Sequence, residues 1–236
     1  MTPCRNAELE AHILKNRRSV DFDAVASPYR WLEYLTFGRL LENLRFAQLR
    51  FVADKERALI LGDGDGRFLA RLVVQNPELR ADAIDSSAEM LALSRTRISA
   101  AGADDRVRLI RADVADELFV PCGNGYDLVV THFFLDCFTD CEVEAIVDRI
   151  MPTLAHGSVW MVSEFDVPLV GSRIFARVLI RLLYLSFGLL TGLSVRSLPV
   201  YRRVLEGRGF VLERRTTSMR GILVSELWRR ANRLGR

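Results

Sequence analysis

Gly62-Asp63-Gly64-Asp65-Gly66 stands between a short apolar run, Arg57 to Leu61 (RALIL), and a helical pattern, Arg67 to Gln75. Few features restrict a fold as much. Glycine lets a backbone turn through positive φ and lets it approach a ligand closely. In open α/β sheets, a turn of this kind after a strand is where nucleotide-like ligands sit. A glycine turn alone also serves as a plain tight connection, so the flanking pattern has to decide.

That pattern alternates. Arg80 to Ile84 reads as a strand that stops at Asp85, and Ala88 to Ala101 as a helix closed by Gly102. Val107 to Arg111, Tyr126 to Thr131 and Ser158 to Ser163 are further strands, with a helix over Glu142 to Leu154 that Pro152 interrupts late. Strands alternating with helices predict an α/β fold with a doubly wound, mostly parallel sheet. Pro199 to Arg208 reads as a helix, and Phe210 to Thr217 with Gly221 to Trp228 as a closing antiparallel pair.

The chain of 236 residues, 50% of them hydrophobic, suits one domain with a cap. Residues 1–56 are expected to form a helical N-terminal arm and residues 57–236 the ligand-binding domain, which includes a helical cap insertion at 170–208. Within the insertion, Ile174 to Leu193 is dense in Leu, Ile and Phe but interrupted by Arg181. It is too short and too charged for a membrane span of about 20 apolar residues. A soluble cap is favoured over peripheral membrane contact. The N-terminus lacks the apolar core of a signal peptide, so a cytoplasmic protein is expected.

A net charge of +3, from 33 basic and 30 acidic residues, does not point to nucleic acid. Cys4, Cys122, Cys137 and Cys141 lack zinc-site spacing, so free thiols and no metal are expected.

Two acids extend the glycine signal. Asp85, ending the second strand, is placed to accept hydrogen bonds from ribose hydroxyls. It also suits a helix cap, although Ser86 and Ser87 can serve there. Asp113, after the third strand, is placed to receive an adenine amino group or simply to be solvated.

In order, LILGDGDGRF, AIDSSAEML, RADVAD, YDLVVTHFFLD and SVWMVSE resemble the class I S-adenosylmethionine-dependent methyltransferase family over Arg57 to Glu164. The resemblance implies a Rossmann-like fold with S-adenosylmethionine as cofactor. It puts Gly62, Gly64 and Gly66 beside the methionine moiety, Asp85 on the ribose, and Ser86 and Met90 near the adenosine. Asp113 and Val114 fall at the adenine edge, and Thr131 and His132 border both cofactor and substrate. The family often carries an acid where Ile60 stands here. Asp63 and Asp65 offer a substitute acidic field, with exposed turn positions as the alternative, and Asp63 is counted with the cofactor set.

Methyl transfer asks for alignment and a water-poor pocket more than for a nucleophilic side chain. An oxygen or nitrogen acceptor still calls for a base. His132 is the candidate, because imidazole titrates near working pH. Simple packing of that ring is the alternative. Asp136 is an acceptor contact, and Glu164 a third choice. Tyr29 and Trp31 of the arm, with the 174–193 stretch, are expected to wall an apolar pocket.

The expected function is therefore methyl transfer to a small, hydrophobic acceptor. Alternatives are a nicotinamide-dependent oxidoreductase, against which Arg67 stands where G-x-G-x-x-G wants its third glycine, and a non-catalytic S-adenosylmethionine-binding protein. A nucleic-acid methyltransferase is disfavoured, because THFF replaces the Asn-Pro-Pro-aromatic type of motif after the fourth strand. The oligomeric state is not legible.

Overall fold

The computed structural model describes residues 39–166 and 201–231. In chain order these form α1 (Arg39–Phe46), β1 (Arg57–Leu61), α2 (Arg67–Gln75), β2 (Arg80–Asp85), α3 (Ala88–Ala100), β3 (Val107–Arg111) and β4 (Tyr126–His132). There follow α4 (Asp140–Ile150), β5 (Leu154–Phe165), α5 (Tyr201–Gly207), β6 (Phe210–Ser218) and β7 (Leu223–Arg230). Short 3-10 turns sit at Leu49–Val52, Leu135–Cys137, Met151–Thr153 and Met219–Gly221.

The strands make one seven-stranded sheet in the order β3-β2-β1-β4-β5-β7-β6. β1 to β5 run parallel, while β7 is antiparallel to β5 and to β6. The order reverses between β1 and β4, and such a switch point opens a crevice at the carboxyl ends of the strands.

Alternating side chains divide the core in two. Leu59, Leu61, Val129, Trp160 and Val162 pack on one face under Val143, Ile146, Val147 and Ile150 of α4 and Val204 and Leu205 of α5. Ala58, Ile60, Leu128, Val130 and Met161 pack on the other under Phe68, Leu69 and Leu72 of α2 and Ile98 of α3. Each strand has a period of two, so burial on both faces requires the unbroken apolar runs seen in β1 and β4. Ile60 is therefore part of this core.

Local chemistry sets the helix starts. The Ser87 side chain accepts from the Met90 amide at 3.2 Å and caps α3. Thr139 and Glu142 form a reciprocal capping box on α4. The helix expected over Glu142 to Leu154 instead runs Asp140–Ile150, because Pro152 turns its end into the 3-10 segment. The fifth strand is longer than expected, Leu154–Phe165, since β7 pairs with it as far as Phe165.

The thiol expectation needs correcting. Cys122 carries a free thiol, but Cys141 is disulfide-bonded. The arm before residue 39, with Tyr29 and Trp31, and most of the 170–208 insertion, including the 174–193 stretch, lie outside the described residues. Among the described residues, no helix is long and apolar enough to cross a membrane.

Candidate functional site

The carboxyl ends of β1, β2 and β3 are stitched into one edge. The Gly62 amide donates to the Ile84 carbonyl at 2.9 Å, and the Ala112 amide to that of Asp85 at 3.1 Å. Arg111 Nε donates to the Ser86 carbonyl at 3.2 Å. Gly62, Asp63, Gly64, Asp85, Ser86 and Asp113 thus follow one another along the crevice. Met90 enters α3 just behind them.

The glycine loop has a shape no other residue would adopt freely. φ is +63° at Gly62, +65° at Gly64 and +81° at Gly66. A Cβ on Gly62 would lie 2.2 Å from Phe134 Cδ2, and one on Gly66 would lie 2.7 Å from the Cα of Ser94. At Gly64 a Cβ would meet no atom within 4 Å. The loop is packed from behind at Gly62 and Gly66 and open at Gly64, as a cradle for close backbone approach requires.

The two loop aspartates do different work. Asp65 is buried and paired with Arg67 Nε at 2.9 Å and Arg97 Nη2 at 3.0 Å. Arg97 Nε also donates to the Asp65 carbonyl, and Ser94 Oγ to the Gly64 carbonyl. Asp65 is therefore a staple between loop and α3, not an exposed turn acid. Asp63 is half-buried and accepts from the Leu69 amide at 3.0 Å. Burial, with the charges of Asp65 and Asp85, pushes its carboxyl up to about 7 against the opposing pull of the Leu69 hydrogen bond and Arg45. The Ser94 and Arg97 contacts were not anticipated. Their spacing on one helical face was the available signal.

Asp85 does not cap α3, since Ser87 does; its Oδ1 accepts from the Ser87 amide at 2.9 Å. Asp113 is exposed and accepts from the Ala115 amide at 2.9 Å. Two side chains of the expected cofactor set are buried. Val114 is 4% exposed and belongs to the α4-side core. Thr131 is fully buried, its hydroxyl accepting from Trp160 Nε1 at 3.1 Å. Strand alternation turns Thr131 inward, and the turn after β3 turns Val114 inward.

His132 is buried as well. It is 3% exposed, its ring centroid is 4.5 Å from that of Phe68, and neither ring nitrogen has a hydrogen-bond partner among the described residues. Burial, then the charge of Arg45, drives its pKa well below the ordinary value. The low-dielectric surroundings disfavour the cation of the imidazole.

After β4 the chain makes a strained turn, with φ +52° at Phe133, whose amide donates to the Ser163 carbonyl at 2.7 Å. This turn presents Phe133, Phe134 and Phe138. Phe133 packs 5.3 Å from Phe165, and Phe134 packs 5.0 Å from Phe138, between ring centroids. Asp136 and Glu164 are buried beside them. Burial raises Asp136 to about 6. Burial and the neighbouring Asp136 charge push Glu164 well above the carboxylate range. Among the described residues, no group of three or more His, Cys, Asp or Glu is arranged to hold a metal ion.

Residues 59–159 match a family described as a methyltransferase domain. Solved structures resemble the fold at low identity. The mitomycin 7-O-methyltransferase MmcR superposes with a TM-score of 0.58 at 19% identity, over 85% of this chain and 60% of its own. The pyocyanin biosynthetic protein PhzM gives 0.63 at 18%, over 94% of this chain and 67% of its own. The N-methyltransferase NodS of Bradyrhizobium japonicum gives 0.55 at 14%, over 81% of this chain and 97% of its own. This chain thus spans about three fifths of the length of the mitomycin enzyme. No curated protein has a significantly similar sequence.

Proposed function

We propose, from the premise that this chain belongs to the class I S-adenosylmethionine-dependent methyltransferases, that it transfers a methyl group to a small, apolar acceptor. The observation that carries the reading is the loop at the switch point. Three positive-φ glycines, open at Gly64, lie beside Asp85 at the end of the neighbouring strand.

The residues fit the cofactor. The Gly62 to Gly64 backbone offers close approach to the methionine part. Asp85 offers carboxylate oxygen to ribose hydroxyls, and Ser86 and Met90 flank the adenosine. Asp113 offers an acceptor to an adenine amino group, and Val114 contributes main chain only. Asp63 supplies the acidic character that Ile60 does not. When bound, S-adenosylmethionine supplies an electrophilic methyl group on a sulfonium. The chain's own part is to align an acceptor and keep water out, and Phe133, Phe134 and Phe165 at the strand ends suit that task.

An apolar acceptor also agrees with the composition of the 174–193 stretch and of the arm around Tyr29 and Trp31. Other proteins of this fold carry names that specify oxygen or nitrogen methylation. Both chemistries need a proton acceptor rather than a covalent nucleophile.

Calorimetric titration with S-adenosylhomocysteine, against nicotinamide dinucleotides as controls, tests the cofactor. Binding of the first alone is expected, and a preference for the dinucleotides would overturn the reading. Turnover of radiolabelled S-adenosylmethionine with a panel of aromatic and acyl acceptors tests the transfer.

A further inference from the structure

At the ends of β4 and β5 lies an acid pair that the cofactor cradle does not use. Glu164 is 1% exposed. Its Oε1 accepts from the amides of Phe134 at 3.2 Å and Leu135 at 2.9 Å, which completes the turn after β4. Its Oε2 is equally buried and has no partner among the described residues. Asp136, on the same turn, is 7% exposed, and the Cys137 thiol donates to its Oδ1 at 3.6 Å.

A purely structural role explains one glutamate oxygen and neither the other nor the second carboxyl. Leaving a buried polar group unsatisfied is costly, so natural cores keep one only for a reason. The pair also sits next to the cradle. Glu164 holds the amide of Phe134, and the ring of Phe134 is the group that a Cβ on Gly62 would strike. A single residue therefore separates the glycine loop from the carboxyls. His132 stands on the other face of the sheet, against Phe68, while Glu164 shares the face of Trp160 and Val162 by strand alternation.

We infer that Asp136 and Glu164 form the polar end of the acceptor pocket, where they receive the hydroxyl or amino group to be methylated and Asp136 takes its proton. This rests on the methyltransferase reading above. The acceptor heteroatom bonds to the methyl carbon as the carbon–sulfur bond breaks, with its electron pair left on sulfur. The heteroatom's proton passes to the Asp136 carboxylate and then to solvent, so no oxidant or other co-reactant is needed. Burial supports the division of labour. Burial and the neighbouring Asp136 charge push the Glu164 carboxyl well up, and burial raises Asp136 to about 6, which makes it a stronger base than an ordinary carboxylate. Facing them are the Cys137 thiol and, from α5, Tyr201, whose hydroxyl is committed to Glu226 at 2.8 Å.

The test needs no knowledge of the acceptor. Sinefungin carries a primary amine where S-adenosylmethionine carries its methyl group, and S-adenosylhomocysteine carries nothing there. Calorimetry at neutral pH should show the wild-type chain binding sinefungin at least about tenfold more tightly than S-adenosylhomocysteine, the effect of one charge-assisted hydrogen bond. Asp136→Asn should lose that preference and bind S-adenosylhomocysteine within about twofold of wild type, because a single tenfold contact is all that is removed. Glu164→Gln, which imitates the protonated acid, should keep most of the preference. A wild-type chain without the preference overturns the inference whether or not the variants fold. So does an Asp136→Asn chain that retains it. Failure of the wild-type chain to bind S-adenosylhomocysteine at all overturns the cofactor reading as well, which separates the two.

Discussion

At the carboxyl ends of β1 and β2, the chain satisfies its own acids: Asp65 by Arg67 and Arg97, Asp63 by the Leu69 amide, Asp85 by the Ser87 amide. At the carboxyl ends of β4 and β5 it does not. Glu164 Oε2 and both nitrogens of His132 are buried without partners among the described residues. The first region is organised in advance by internal contacts, as a site for an invariant ligand should be. The second retains unmet polarity inside an aromatic wall, at a cost of about 1–3 kcal/mol for each such group. The difference agrees with a division of the sheet edge between cofactor and acceptor.

The largest effect should come from the loop itself. Gly66→Ala combines a positive φ with a Cβ 2.7 Å from backbone, which the Ser94 side chain cannot relieve by rotating. A loss of about 2–5 kcal/mol is expected from strain plus overpacking. Gly64→Ala meets no atom within 4 Å and should cost only about 1–2 kcal/mol. Urea denaturation of both variants checks the ordering, and equal losses would show that backbone strain alone governs the loop.

Next, Asp85→Ala should weaken S-adenosylhomocysteine binding at least about tenfold, at roughly 1.5–3 kcal/mol per hydrogen bond to a charged group. The melting temperature of the free chain should move little. Unchanged affinity by calorimetry would remove Asp85 from the ribose and break the assignment of this half of the edge.

Asp65→Asn separates staple from ligand contact. Breaking its two ion pairs should cost about 1–3 kcal/mol, less than a fully buried pair because Arg67 and Arg97 are partly exposed. Cofactor affinity, measured well below the melting temperature, should stay within a few-fold. A large selective loss of affinity would place Asp65 in the crevice.

The last effect concerns Asp63 and is read as a slope in pH. Its carboxyl is raised from 3.8 to about 7, so the folded chain keeps a proton that the unfolded chain releases. Stability should therefore fall as pH rises from about 4 to about 7 and level off above. Asp63→Asn should flatten that part of the profile in thermal melts across the range. An unchanged slope would assign it to Asp136 and Glu164, whose raised values act in the same direction.

The strands β1 and β3 begin and end where apolar runs and glycines place them, because local periodicity and turn chemistry act over a few residues. The alternation likewise determined the parallel sheet, and the glycine loop determined where its crevice opens. Partnership across the sheet was not legible. Asp63 and Asp65 look alike in sequence, yet only α3, folded against the loop, supplies Arg97 to one of them. Val114, Thr131 and His132 follow strands toward the crevice, but the direction of each side chain depends on which helices cover that face. Ile60 stands where the family often carries an acid, and it packs into the core between α2 and the sheet. Asp136 and Glu164 are 28 positions apart in the chain (164 − 136) and become a pair only because β4 and β5 lie side by side. Their perturbed acidity follows from shared burial, a property that no single stretch of sequence carries.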